Sequence, residues 1–142
     1  MNPQCGAERD ENGGGRRTLG AVSVPVALDE LARRVDEFGA HPFLVTVGPD
    51  HRAHVVSATA VFDGERFSLG AGRTSRTNVA EFPSVTLMWP GAGGPYALIV
   101  DGAGEVDDDN ESVVIVPTRA VLHRLAHASE ELPSCVRIES ST

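Results

Sequence analysis

The sequence predicts a mainly β protein, an antiparallel barrel of six strands with two or three flanking helices. Three observations predict it. Short β-rich runs follow one another across tight turns instead of alternating with long helical segments. Several of those runs alternate in character with a period of two. Only two segments carry helical spacing, one long and one short. Closing the sheet would also remove exposed strand edges.

Residues 1–20 contain Gly13–Gly15, paired arginines and no periodic apolar pattern, so they read as a disordered leader. The domain is placed at 21–128, and 129–142 is expected to be a flexible tail. "VALDELARRVDEFG" puts Leu28, Leu31, Val35 and Phe38 on one helical stripe, with Gly39 as its stop. "HPFLVTVG" is a short strand ending in the turn "GPDHR". "AHVVSATAVF" reads as one alternating strand. Val55, Ser57, Thr59 and Val61 share one face; Val56, Ala58, Ala60 and Phe62 share the other. After the turn "DGE" comes the strand "RFSLGAG", then a short helix capped by Thr74 or Ser75. Val79 and Phe82 bury one side of that helix and Pro83 ends it. "SVTLMW" groups Val85, Leu87 and Trp89. "YALIVDGAGEV" is a long strand, "DDDN" a hairpin turn and "SVVIVPTRAVLHRL" the last strand or strands, with Pro117 at a break.

At 142 residues the chain has room for one modest core. No apolar run is long enough to span a bilayer, and the polar N-terminus lacks the apolar stretch of a signal peptide, so a cytoplasmic protein is expected. The first twenty residues balance three arginines against three acids. Nine arginines and 17 acids in the remainder account for the net charge of -8, which argues against a nucleic-acid partner. Acids crowd in "DGAGEVDDDNE", which reads as a solvated turn and not as a metal site. The absence of lysine excludes a pyridoxal-phosphate Schiff base and a Walker-type phosphate loop. Cys5 and Cys135 have no CxxC spacing, so neither a zinc site nor a disulfide framework is expected.

"GRTSRTN", Gly72 to Asn78, is the candidate site. A phosphate needs guanidinium donors, hydroxyls and unpaired backbone N–H groups. A helix start supplies the last of these together with the positive end of the helix dipole. Arg73, Thr74, Ser75 and Arg76 add the rest, and Gly70 and Gly72 allow close approach. A capped helix with two solvated arginines is the alternative. Ser57 and Thr59 are a second clue: facing a closed core they would need buried partners, which a planar polar heterocycle would provide. Local hydrogen bonding is the alternative there.

The stretch "RFSLGAGRTSRTNVAEFPSVTLMWP", followed by "YALIVDGAGEV", resembles the pyridoxamine 5'-phosphate oxidase-like, FMN-binding split barrels over roughly residues 25–125. The resemblance implies a split β-barrel whose phosphate-binding turn falls on Arg73, Thr74 and Ser75, with Arg76 beside it. It lays the flavin ring along His54, Val55, Val56, Ser57 and Thr59. It also implies a homodimer with the cofactor at the interface, the partner contributing near Trp89 and Tyr96. Many members place a lysine eight residues before the proline, where Ser75 stands here. The true oxidases also carry a C-terminal segment, whereas this chain ends soon after "VLHRLAHASEELPSC", so vitamin B6 is not the expected substrate.

The resemblance thus implies an oxidoreductase dependent on FMN, or alternatively a deazaflavin, acting on a small molecule. A non-catalytic flavin or phosphorylated-ligand carrier is the rival, and a haem protein with a histidine ligand a third class. His54, His123 and His127 are the nameable acid–base candidates, and no catalytic residue is assigned.

Overall fold

The structure, a computed structural model, describes residues 28–126 except 92, 108 and 110, together with 135–136. The expected leader and most of the expected tail, with Cys5 and His127, lie outside the described residues.

Helix α1 spans Leu28–Phe38. Leu31 is buried, and Val35 and Phe38 pack half-buried against the core. The helix stops where predicted: Gly39 takes φ 98°, a conformation that suits glycine, and its N–H donates to the Val35 carbonyl. Strands β1 (Phe43–Val47), β2 (Ala53–Ser57), β3 (Ala60–Phe62) and β4 (Phe67–Gly70) follow. Next come helix α2 (Arg73–Glu81) and strands β5 (Ser84–Trp89), β6 (Tyr96–Asp107), β7 (Ser112–Arg124) and β8 (Cys135–Val136). The sheet is antiparallel and curled, in the order β2-β1-β5-β6-β7-β4-β3, with β8 on β7. β8 lies within 129–142, the expected flexible tail.

The strand count exceeds the expected six for a physical reason. "AHVVSATAVF" alternates without interruption, buried or half-buried at even positions and exposed at Val55, Ser57, Thr59 and Val61. Its pairing changes midway. Ala58 and Ala60 donate to the carbonyls of Pro42 and Ala40, prolonging the β1–β2 register. The chain then pairs β3 with β4 at the other end of the sheet order. One bent segment therefore serves both ends of the sheet and leaves two hydrogen-bonded strands.

Pro117 does not break β7. It lies at a bulge, where Asp101 pairs with Arg119 and Gly102 with Pro117, leaving Thr118 extra on its strand. The Thr118 hydroxyl donates to the Asp101 carbonyl. On the outward face the Asp101 carboxylate accepts from Thr86 at 2.7 Å and from Arg119 at 3.1 Å. Inside the curl, Leu44, Phe67, Leu87, Trp89, Leu98, Val100, Val113 and Ile115 form the core. Burying each such large side chain contributes about 1.5–3 kcal/mol. Phe67 stacks on Phe62, with ring centroids 4.4 Å apart. At the predicted "DGE" turn, the Asp63 carboxylate accepts the N–H groups of Arg66 and Glu65, which hold its pKa below the ordinary value.

Candidate functional site

Helix α2 begins at Arg73, and its N-cap is Gly72 in an extended conformation. This corrects the expected capping by Thr74 or Ser75, which lie inside the first turn. Glycine has no side chain to offer, no side-chain cap bond forms, and the first turn holds no acidic residue. The leading N–H groups are therefore left without side-chain acceptors, an arrangement ready for an external anion.

The two arginines differ. Arg73 is exposed and makes no ion pair or side-chain hydrogen bond among the described residues. Arg76 is half-buried, and its Nη1 donates to the Ala71 carbonyl at 2.6 Å, bracing the turn from within. The Ala71 N–H in turn donates to the Glu111 carbonyl at 3.2 Å. The β6–β7 hairpin, with Asp107, Asp109 and Glu111, thus borders the turn.

Thr74 is exposed, but Ser75 is only 2% exposed. Its hydroxyl has no partner among the described residues, and such a buried orphan costs about 1–3 kcal/mol. Asn78, one turn on, is also buried and donates from Nδ2 to the Thr46 hydroxyl at 3.1 Å. That bond fastens α2 to β1. Sequence reading missed it because Asn78 looked like an ordinary polar residue of a surface helix.

Thr46 and His54 are register partners and share a face of the sheet. His54 and Val56 are half-buried on that face, towards α2, while Val55, Ser57 and Thr59 point outward. This corrects the idea that Ser57 and Thr59 face a closed core: both are exposed, and the Thr59 hydroxyl lies 3.2 Å from His41 Nδ1. β2 ends the sheet order, so its outer edge has no strand partner among the described residues.

The two remaining candidates are not brought to the turn. Trp89 is 1% exposed, and its indole N–H donates to the Gly39 carbonyl at 2.8 Å, as a buried indole requires. Tyr96 starts β6, whereas the turn lies beside the far end of that strand: Gly70 pairs with Ser112, and Ser112 with Asp107. The twelve-residue length of β6 lies between them. Among the described residues no group of three metal-ligating side chains occurs, and no helix is long and apolar enough to cross a membrane.

No protein-family model matches the chain. Proteins of Mycobacterium bovis and Mycobacterium tuberculosis, both described as uncharacterized, are each 37% identical to it over 123 residues, covering 75% of this chain and 84% of theirs. The chain belongs to their family. Among solved structures, an F420 reductase superposes with a TM-score of 0.52 at 21% identity, covering 62% of this chain and 94% of that one. A Clostridium acetobutylicum protein related to general stress protein 26, of the pyridoxinephosphate oxidase family, gives 0.55 at 13% identity over 68% and 87%. A conserved hypothetical protein of Mycobacterium tuberculosis gives 0.54 at 19% over 79% and 96%. The fold is that of the pyridoxamine 5'-phosphate oxidase-like split barrels.

Proposed function

We propose that this protein binds a flavin-type cofactor, FMN in preference to a deazaflavin, and acts as an oxidoreductase on a small molecule. The observation that carries the reading is the start of α2: an N-terminus without a side-chain cap, no acid in its first turn, and an Arg73 that has no partner among the described residues. These donors fit a phosphomonoester. The Arg73 guanidinium and Thr74 hydroxyl would hold its oxygens, Arg76 would keep the turn in shape, and Ser75 has a hydroxyl to spare. The backbone edge of β2, with Val55, Ser57 and Thr59 outside it and His54 and Val56 inside, would orient the ring. The bound ring would supply hydride or electron transfer, and the protein positions and tunes it.

The charge around the turn favours the smaller anion. Asp107, Asp109 and Glu111 sit on the hairpin that holds Ala71, so a long polyanionic tail would meet like charge there. Arg52 does not offset this, because it is largely exposed and faces Asp50. The neighbouring F420 reductase keeps the deazaflavin in play at the level of fold.

A homodimer completes the reading. Tyr96 lies too far along β6 to touch a cofactor held at its own chain's turn, so only a second protomer could bring it there. Val55, 56% exposed on the outward face, gives such a contact apolar surface.

The test is an absorbance spectrum of purified protein during titration with FMN, riboflavin and a deazaflavin. Saturable perturbation by FMN, at least tenfold tighter than by riboflavin, is expected, because only FMN carries the phosphate. Equal affinity for the two refutes the phosphate site. Turnover with a nicotinamide and oxygen separates an enzyme from a carrier.

A further inference from the structure

A groove lies between α1 and β3. Its volume is about 390 Å³, within the range of small-molecule sites. Ala32, Val35 and Asp36 of α1, Gly39 and Ala40 beyond the helix, and the three residues of β3 line it. Apart from Asp36, every side chain in that lining is apolar.

The walls are fixed from within the fold. The Ala60 N–H donates to the Ala40 carbonyl at 2.8 Å, tying β3 to the end of α1. The Gly39 N–H donates to the Val35 carbonyl, and the Gly39 carbonyl accepts from the Trp89 indole. Phe62 stacks on the buried Phe67, which holds its ring. Asp36 differs from these groups. It is exposed, and its carboxylate has no hydrogen-bond or ion-pair partner among the described residues. Arg33 and Arg34, cations of the same helix, pair with Glu37 instead. On the opposite wall Val61 is 65% exposed, the most of any large apolar side chain described. One groove therefore combines an apolar surface with a single carboxylate.

We propose that this groove binds a small organic cation, an ammonium carried on an aromatic or branched apolar body. The apolar walls take the body, and the Asp36 carboxylate takes the ammonium through a charge-assisted hydrogen bond. The net charge of -8 draws such cations towards the protein and disfavours anions of the same shape. Because Asp36 is exposed, the ion pair adds selectivity more than affinity. No residue of the groove belongs to the α2 turn or to the β2 positions that would orient a flavin ring, so the inference does not rest on the cofactor.

The probe is phenethylamine, an ammonium at neutral pH, titrated into 15N-labelled full-length protein and followed by amide shifts. Its neutral isostere 2-phenylethanol is titrated in parallel. Saturable shifts at Val35, Ala40 and Val61 are expected with both, and the amine should bind about threefold to fivefold more tightly at low salt. Asp36→Asn keeps the shape and removes the charge. It should abolish that preference and leave 2-phenylethanol binding unchanged. Arg73→Ala is expected to leave phenethylamine binding unchanged while it weakens FMN, so this groove and the cofactor turn succeed or fail separately. Absence of saturable shifts, shifts confined elsewhere, or a preference for the amine that survives Asp36→Asn overturns the proposal.

Discussion

Replacing Arg73 and Arg76 singly separates binding from stability at the α2 turn. Arg73 is exposed and has no side-chain partner among the described residues. Truncating it removes no hydrogen bond or ion pair with the described residues, so Arg73→Ala should change stability by less than about 0.5 kcal/mol. A guanidinium contact to phosphate is worth about 1.5–3 kcal/mol, and every 1.4 kcal/mol is tenfold in affinity. FMN binding should therefore weaken by about ten- to a hundredfold. Arg76 is different, because its side chain closes the turn on the Ala71 carbonyl at 2.6 Å from a half-buried position. Arg76→Ala should cost about 1–2 kcal/mol of stability, and it should weaken FMN by letting the turn move. The double variant should thus be measurably less stable than Arg73→Ala, so the pair is not neutral to the fold. Urea unfolding and FMN titration by fluorescence quenching, run on the same preparations, measure both quantities. A folded Arg73→Ala protein with unchanged FMN affinity refutes the phosphate reading. An Arg76→Ala protein as stable as wild type refutes the bracing role.

Four further outcomes follow from particular contacts. Asn78→Ala leaves the fully buried Thr46 hydroxyl without its donor and should cost about 1–3 kcal/mol in urea unfolding; a loss as large in a Thr46→Val background would show that the bond is not the cause. Gly102→Ala puts a Cβ 2.6 Å from the Val116 carbonyl oxygen and 2.7 Å from Ile115 Cγ2 at the bulge, and should cost about 3 kcal/mol, seen as a lowered Tm. Trp89→Phe strands the Gly39 carbonyl at the end of α1 and should cost about 1–3 kcal/mol; an unchanged Tm would contradict it. The hydrogen bond from Arg33, aided by the charges of Arg33 and Arg34, holds the Glu30 carboxyl below its usual value of 4.5. Its stabilisation is complete above that value and disappears as pH falls through the lower folded pKa. Glu30→Gln should therefore lose more stability at pH 7 than at pH 3, and equal losses would refute the assignment.

The candidate site was legible in part. "GRTSRTN" stood out because glycines, guanidinium groups and hydroxyls fell together where a strand gives way to a helix. That reading could not rank the two arginines, since the partner of Arg76 is a backbone carbonyl of its own turn. Asn78 gave no signal, because its partner Thr46 lies 32 residues away. Trp89 and Tyr96 sit close in sequence, yet one seals the end of α1 and the other starts β6 away from the turn. Ser57 and Thr59 could not be assigned a face, because a period of two says which residues share a side and not which side is buried.

Local pattern by itself determined the antiparallel β class, the α1 stripe and its stop at Gly39, the "DGE" turn, the short α2 and the β6–β7 hairpin. Each depends on propensity, periodicity or a turn residue acting within a few positions of chain. Tertiary structure alone decided that one strand would bend to serve both ends of the sheet, that Pro117 would sit at a bulge and not a break, that α2 would be bolted to β1, and that an acidic hairpin would border the turn before α2. Those outcomes rest on pairings between residues far apart in the chain, where the energy of a contact depends on which strand arrives opposite, and no local pattern encodes that arrival.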